Sequence, residues 1–72
     1  MSAPIFYIST EEYDALTPGA TCALGGSEGK HALVKRMEVG ESIDLGDGTG
    51  RRAVGTVHSL TDRGVIVRVE QL

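Results

Sequence analysis

Ser42-Ile43-Asp44-Leu45-Gly46-Asp47-Gly48-Thr49-Gly50-Arg51-Arg52 settles the fold class of this chain. Ile43 and Leu45 fall on one face and Asp44 on the other, the period-two pattern of a half-buried strand. Asp47-Gly48 is the strongest hairpin signal in the sequence, because glycine takes a positive φ with no Cβ clash. Arg52 to Leu60 is then the returning strand, and Gly55 in its middle predicts a bulge or a tight bend. Asp62-Arg63-Gly64 predicts a second hairpin turn. In the last strand Val65, Val67 and Val69 face inward, while Ile66 and Arg68 face the other way.

Upstream, Pro4 to Ile8 reads as an apolar opening strand. Glu11 to Ala15 fits one helical turn, ended by the turn signal Thr17-Pro18-Gly19. Ala20 to Leu24 is a second short strand, stopped by Gly25-Gly26. Ser27 is the expected N-cap of a helix running to about Lys35, with Glu28 at its positive end. Gly29 inside it costs roughly 1 kcal/mol against alanine, so that helix is short. Glu38-Val39-Gly40-Glu41 returns the chain to strand. The expectation is a mainly β fold: a small, closed or nearly closed β-barrel of roughly five or six strands with one short helix. Closure would also hide the sheet edges.

At 72 residues the chain is one small domain (1–72). A domain of this size buries only about 60% of its unfolded surface. No apolar run approaches the length of a membrane-spanning helix, and no basic region leads into an apolar stretch at the N-terminus. The lone Cys22 has no internal disulfide partner, which fits a reducing compartment, and a cytoplasmic location is expected. The net charge of −3 hides a division. Residues 1–29 hold four acids and no Lys or Arg, whereas residues 30–72 hold all seven basic residues against six acids. Local potential, not the total, steers a phosphate backbone.

Catalytic and metal motifs fail on inspection. Gly25-Gly26-Ser27-Glu28-Gly29-Lys30 resembles a phosphate-binding loop, but Leu24 stands where its first glycine belongs and His31 where Ser or Thr would hold magnesium. Gly46, Gly48 and Gly50 miss the dinucleotide fingerprint, since Arg51 replaces its third glycine. Cys22 with His31 or His58 is a weak nucleophile–base pair, because a lone strand cysteine is usually a small buried hydrophobe. The same three residues lack metal-ligand spacing. Asp47 has a turn to hold, which argues against paired-carboxylate chemistry with Asp44. No catalytic residue, metal site or cofactor is expected in this chain.

What carries chemistry is the basic run Lys30-His31-Ala32-Leu33-Val34-Lys35-Arg36, uninterrupted by any acid. On a helix His31 and Lys35 share a face, Ala32 and Arg36 form the next pair round, and Lys30 lies with Val34 and Met37. The cations need not form one stripe, and a solvated helix with an apolar side at Leu33 and Val34 is the plain alternative. Arg51 and Arg52 leave their strand on opposite faces, so one of them at most joins any patch.

The ordered set Ile5-Phe6-Tyr7-Ile8, Glu28 with His31, Val34-Lys35-Arg36-Met37, Val39-Gly40 and Leu45-Gly46-Asp47-Gly48 resembles the N-terminal domain of the RsmE family. That family methylates N3 of a uridine in small-subunit ribosomal RNA, and its N-terminal domain is a PUA-like β-barrel. Two departures stand out. Ile5 occupies a position where the family often has arginine, and the interval from His31 to Arg36 is one residue short. Either Lys30 or His31 therefore takes the place of the family histidine.

The resemblance implies an RNA-docking module, itself non-catalytic, whose partner is small-subunit ribosomal RNA or the assembled small subunit. Arg36, Lys35, Lys30, His31 and Arg51 are the expected RNA contacts. A knotted C-terminal domain, absent from these residues, would bind S-adenosylmethionine and form a homodimer, and the isolated domain would be a monomer with no membrane partner. One Phe, two Tyr and no Trp leave no stacking platform for single-stranded bases. The rival readings are a barrel that packs on its catalytic domain through Ile66, Val54 and the opening strand, and a free-standing enzyme using Cys22.

Overall fold

The computed structural model describes residues 3–72. Its elements are β1 (Ile5–Tyr7), α1 (Thr10–Asp14), β2 (Thr21–Leu24), α2 (Gly26–Val34), β3 (Ser42–Gly46), β4 (Arg52–Leu60) and β5 (Val65–Gln71). The five strands form one sheet in the order β1-β3-β4-β5-β2. Three pairings are antiparallel, and β1 joins β3 in parallel, with Phe6 opposite Leu45. The sheet curls into a half-barrel whose edges are β1 and β2. The mainly β, PUA-like architecture matches the expectation, with two short helices rather than one and with the sheet left open at β1 and β2 where closure was expected.

The alternation along β4 and β5 builds the core, whereas β3 is buried on both faces from Ile43 to Gly46, Asp44 included, and not half-buried as its sequence pattern predicts. Phe6, Ile43, Leu45, Val57, Val65, Val67 and Val69 are fully buried. Ile66 is half-buried and Arg68 exposed, the two-faced pattern expected of β5. Gly55 is required by close approach. A Cβ there would lie 2.6 Å from Val67 Cγ1 and 2.9 Å from the Arg68 carbonyl oxygen. The register between β4 and β5 shifts beside it, at Val54/Gly55, and again at Val57/Ser59. These irregularities increase local twist, which curls a sheet this narrow.

Local chemistry sets the helix boundaries. α1 begins in a capping box: Ser9 Oγ accepts from the Glu12 backbone N–H at 3.0 Å, and the Ser9 N–H donates to Glu12 Oε1 at 2.9 Å. The Ser9 hydrogen bonds hold the Glu12 carboxyl below its ordinary range. α2 begins at Gly26, so Ser27 sits inside its first turn and is not the N-cap. The roles expected of Glu28, Gly29, Leu33 and Val34 fall on side chains outside the described set, and Ala32 is fully buried. Glu38 to Glu41 is a turn rather than strand, closed by the Glu41 N–H on the Glu38 carbonyl at 3.1 Å. Gly40, at φ 94°, supplies the left-handed residue that this turn needs.

Candidate nucleic-acid interface

α2 and the chain just after it present the basic run. At 100° per residue, Lys30 points roughly 160° away from the buried Ala32, and His31 and Lys35 share a flank between them. The His31 ring meets Phe6 of β1 edge-on, at 5.5 Å between centroids and 71° between planes, so that flank lies toward β1. Lys30 instead lines a cleft of about 450 Å³ with Gly26, Asp62 and Arg63. The cations therefore spread around the exposed side of the helix and do not form one stripe.

Arg36 ends the helix in an unusual way. Its φ is 57°, which no other described non-glycine residue matches in sign. The Met37 N–H donates to the Ala32 carbonyl at 3.3 Å, and the Lys35 N–H donates to His31 at 3.0 Å. The first bond, six residues spanned back to one, makes a Schellman cap with Arg36 at the position usually held by glycine. Met37 and Ala32 are both buried, which supplies the apolar contact that accompanies this cap. The cap directs the Arg36 side chain into solvent, and the residue is exposed.

Arg51 has a different environment. Its Nη1 donates to Asp14 Oδ1 at 2.7 Å, and its Nε and Nη2 donate to Asp47 Oδ2 at 3.1 and 2.5 Å. The guanidinium also stacks 4.4 Å from the centre of the Tyr13 ring. Asp47 further accepts from the Thr49 hydroxyl at 2.6 Å and the Thr49 N–H at 3.0 Å. These bonds, from Thr49 first and Arg51 next, lower the Asp47 carboxyl to about 2. The pair of carboxylates in turn raises the Arg51 guanidinium. This cluster ties α1 to the β3–β4 loop, a contact spanning 37 residues of sequence.

The seven basic residues divide by what they touch. Arg51 pairs with Asp14 and Asp47, Arg52 lies 3.5 Å from Asp44, and Arg68 lies 3.8 Å from Glu70. Among the described residues Lys30, Lys35, Arg36 and Arg63 have no ion-pair partner. The first three come from the basic run. Arg63 was legible only as a turn residue, and its charge gave the one signal that could have singled it out. Burial, with Glu12 nearby, pushes the Cys22 thiol up, away from the thiolate a nucleophile needs. Among the described residues no three His, Cys, Asp or Glu side chains gather as a metal set.

A curled five-stranded sheet with two short helices is the architecture of a small PUA-like β domain. Residues 24–70 match the family model for the RNA methyltransferase PUA domain, and the chain belongs to that family. It is 39% identical over 70 residues to ribosomal RNA small subunit methyltransferase E of Mycobacterium bovis, and equally to that of Mycobacterium tuberculosis. Those matches take in 96% of this chain and 25% of each relative, so the chain spans about a quarter of their length. The crystal structure of the Neisseria gonorrhoeae ribosomal RNA small subunit methyltransferase E, bound to S-adenosylmethionine, superposes with a TM-score of 0.81. At 24% identity it covers 97% of this chain and 28% of that one, and it shares the fold.

Proposed function

We propose that this domain docks structured small-subunit ribosomal RNA so that a separate catalytic domain reaches the N3 atom of one uridine. The observation that carries the reading is the division of cations. Among the described residues Lys30, Lys35 and Arg36, spread along α2 and the turn after it, have no acidic partner, while Arg52 on β4 and Arg68 on β5 each lie beside a carboxylate. Phosphate oxygens are the partners such groups take: the Arg36 guanidinium in a two-pronged way, the lysines as point charges. Arg51 contributes least of the five expected contacts, because two carboxylates already hold it. Contacts of this kind position RNA by shape and backbone and specify little sequence.

The S-adenosylmethionine cofactor, the methyl transfer and a homodimer contact belong in this reading to the rest of the protein, working on the ribosome in the cytoplasm.

The test is titration of the chain with a labelled stem–loop of small-subunit ribosomal RNA at two salt concentrations. Affinity that falls steeply as salt rises supports the reading, because neutralised phosphates release counterions. Salt-independent binding, or none at low salt, overturns it.

A second reading has its own observation. Tyr7 and Val54 are large, apolar and about half exposed, and Tyr7 with Ile5 lines the depression at the β1 edge. That face fits packing against a catalytic domain, and both readings can hold on one molecule. Tyr7→Ser would then weaken association of the two domains and leave RNA affinity unchanged.

A further inference from the structure

We infer that Arg63, at the tip of the β4–β5 hairpin, is an additional phosphate contact, and that the cleft it forms with Lys30 is a subsite for an RNA phosphodiester. The inference rests on the RNA-docking reading above and extends it to an element far from the basic run. Lys30 on α2 and Arg63 on the hairpin come from chain segments 33 residues apart, yet both line one cleft of about 450 Å³. Both are exposed, and among the described residues neither has an ion-pair partner. Two like charges left facing the same open space repel each other unless an anion lies between them.

The hairpin tip is held in place for this task. The Thr61 hydroxyl donates to the Gly64 carbonyl at 3.1 Å and accepts from the Arg63 N–H at 3.2 Å. The Thr61 N–H closes the turn on the same carbonyl at 2.9 Å. The backbone that carries the guanidinium is therefore ordered before any ligand arrives, which lowers the entropy lost on binding. Asp62 also lines the cleft, and its carboxylate opposes an anion there. Two cations against one acid leave the subsite at +1, suited to the single charge of a phosphodiester. A doubly charged phosphate monoester would be less well matched.

The test measures affinity and its salt dependence for the unmodified chain, R63A, D62N and the double variant K35A/R36A, against the same stem–loop. A thermal melt of each variant confirms the fold. R63A is expected to bind about three- to tenfold more weakly at low salt and to reduce the slope of log affinity against log salt by about 0.7–0.9, one phosphate contact. D62N is expected to bind about twofold more tightly, since it removes the opposing charge. If K35A/R36A weakens binding while R63A and D62N leave it unchanged, the subsite is wrong and the docking reading stands. If the unmodified chain binds no RNA at all, the docking reading falls and this inference falls with it.

Discussion

Replacing Arg36 by glycine should make the domain more stable and worse at binding RNA. Arg36 occupies the left-handed cap position of α2 at φ 57°. A side chain in that conformation costs about 1–2 kcal/mol relative to the right-handed region, because Cβ crowds the following carbonyl. Glycine removes that cost but has more freedom to lose on folding, worth about 0.5–1 kcal/mol in the opposite direction. The net gain is about 0.5–1 kcal/mol, which in a domain of this size raises the Tm by about 2–8 °C. Arg36→Ala keeps the strained backbone and loses only the charge, so its stability should stay within about 0.5 kcal/mol of the unmodified chain. Both variants should lose RNA affinity alike, by about tenfold at low salt. Thermal unfolding followed by circular dichroism, paired with RNA titration, separates the effects. A Tm that falls in Arg36→Gly would show that the arginine side chain itself holds the helix end, and would refute an arginine kept there at the expense of stability.

Gly55→Ala should cost about 1–3 kcal/mol, since the new methyl meets the branched Val67 side chain and the Arg68 backbone, neither of which can yield easily; urea unfolding reads it directly. Phe6→Ala should cost about 3–5 kcal/mol, enough in so small a domain to leave much of it unfolded at 37 °C, as proton NMR dispersion would show. The pH dependence has a definite sign. The Asp47 carboxyl is lowered to about 2 in the folded chain from its ordinary 3.8, so its contribution is complete above about pH 4 and lost as pH falls toward 2. Asp47→Asn should accordingly be less stable than the unmodified chain at neutral pH, with the gap closing over that window. A gap that stays constant down to pH 2 would contradict the assignment.

The parts of the fold legible in the sequence were those governed by local pattern. Strict alternation in β5 placed Val65, Val67 and Val69 inward, and Asp47-Gly48 marked the β3–β4 reversal. Gly55 announced irregular pairing because a central strand tolerates glycine only where something comes close. Other features had no local signal. The parallel β1–β3 pairing joins segments some 40 residues apart and follows from burial of Phe6 against the rest of the core. Arg36 gave no warning of a left-handed cap, since that position is normally announced by glycine.

The candidate site was legible in part for the same reason. Adjacent cations in the basic run can be read along a helix. Whether a cation has an acidic partner depends on distant residues, as with Arg51 and Asp14. Proximity of Lys30 to Arg63 likewise needs the turn of the sheet to bring the hairpin tip beside α2. Charge counting by segment placed every Lys and Arg in residues 30–72, and only the tertiary structure sorted these cations into held and open ones.

Amide chemical-shift mapping during RNA titration addresses that sorting most directly. The largest changes are expected along residues 30–36 and at Arg63, with Arg52, Arg68 and the exposed Tyr7 nearly still. Changes concentrated at Tyr7, Val54 and the β1 edge, with α2 and the hairpin tip silent, would contradict it.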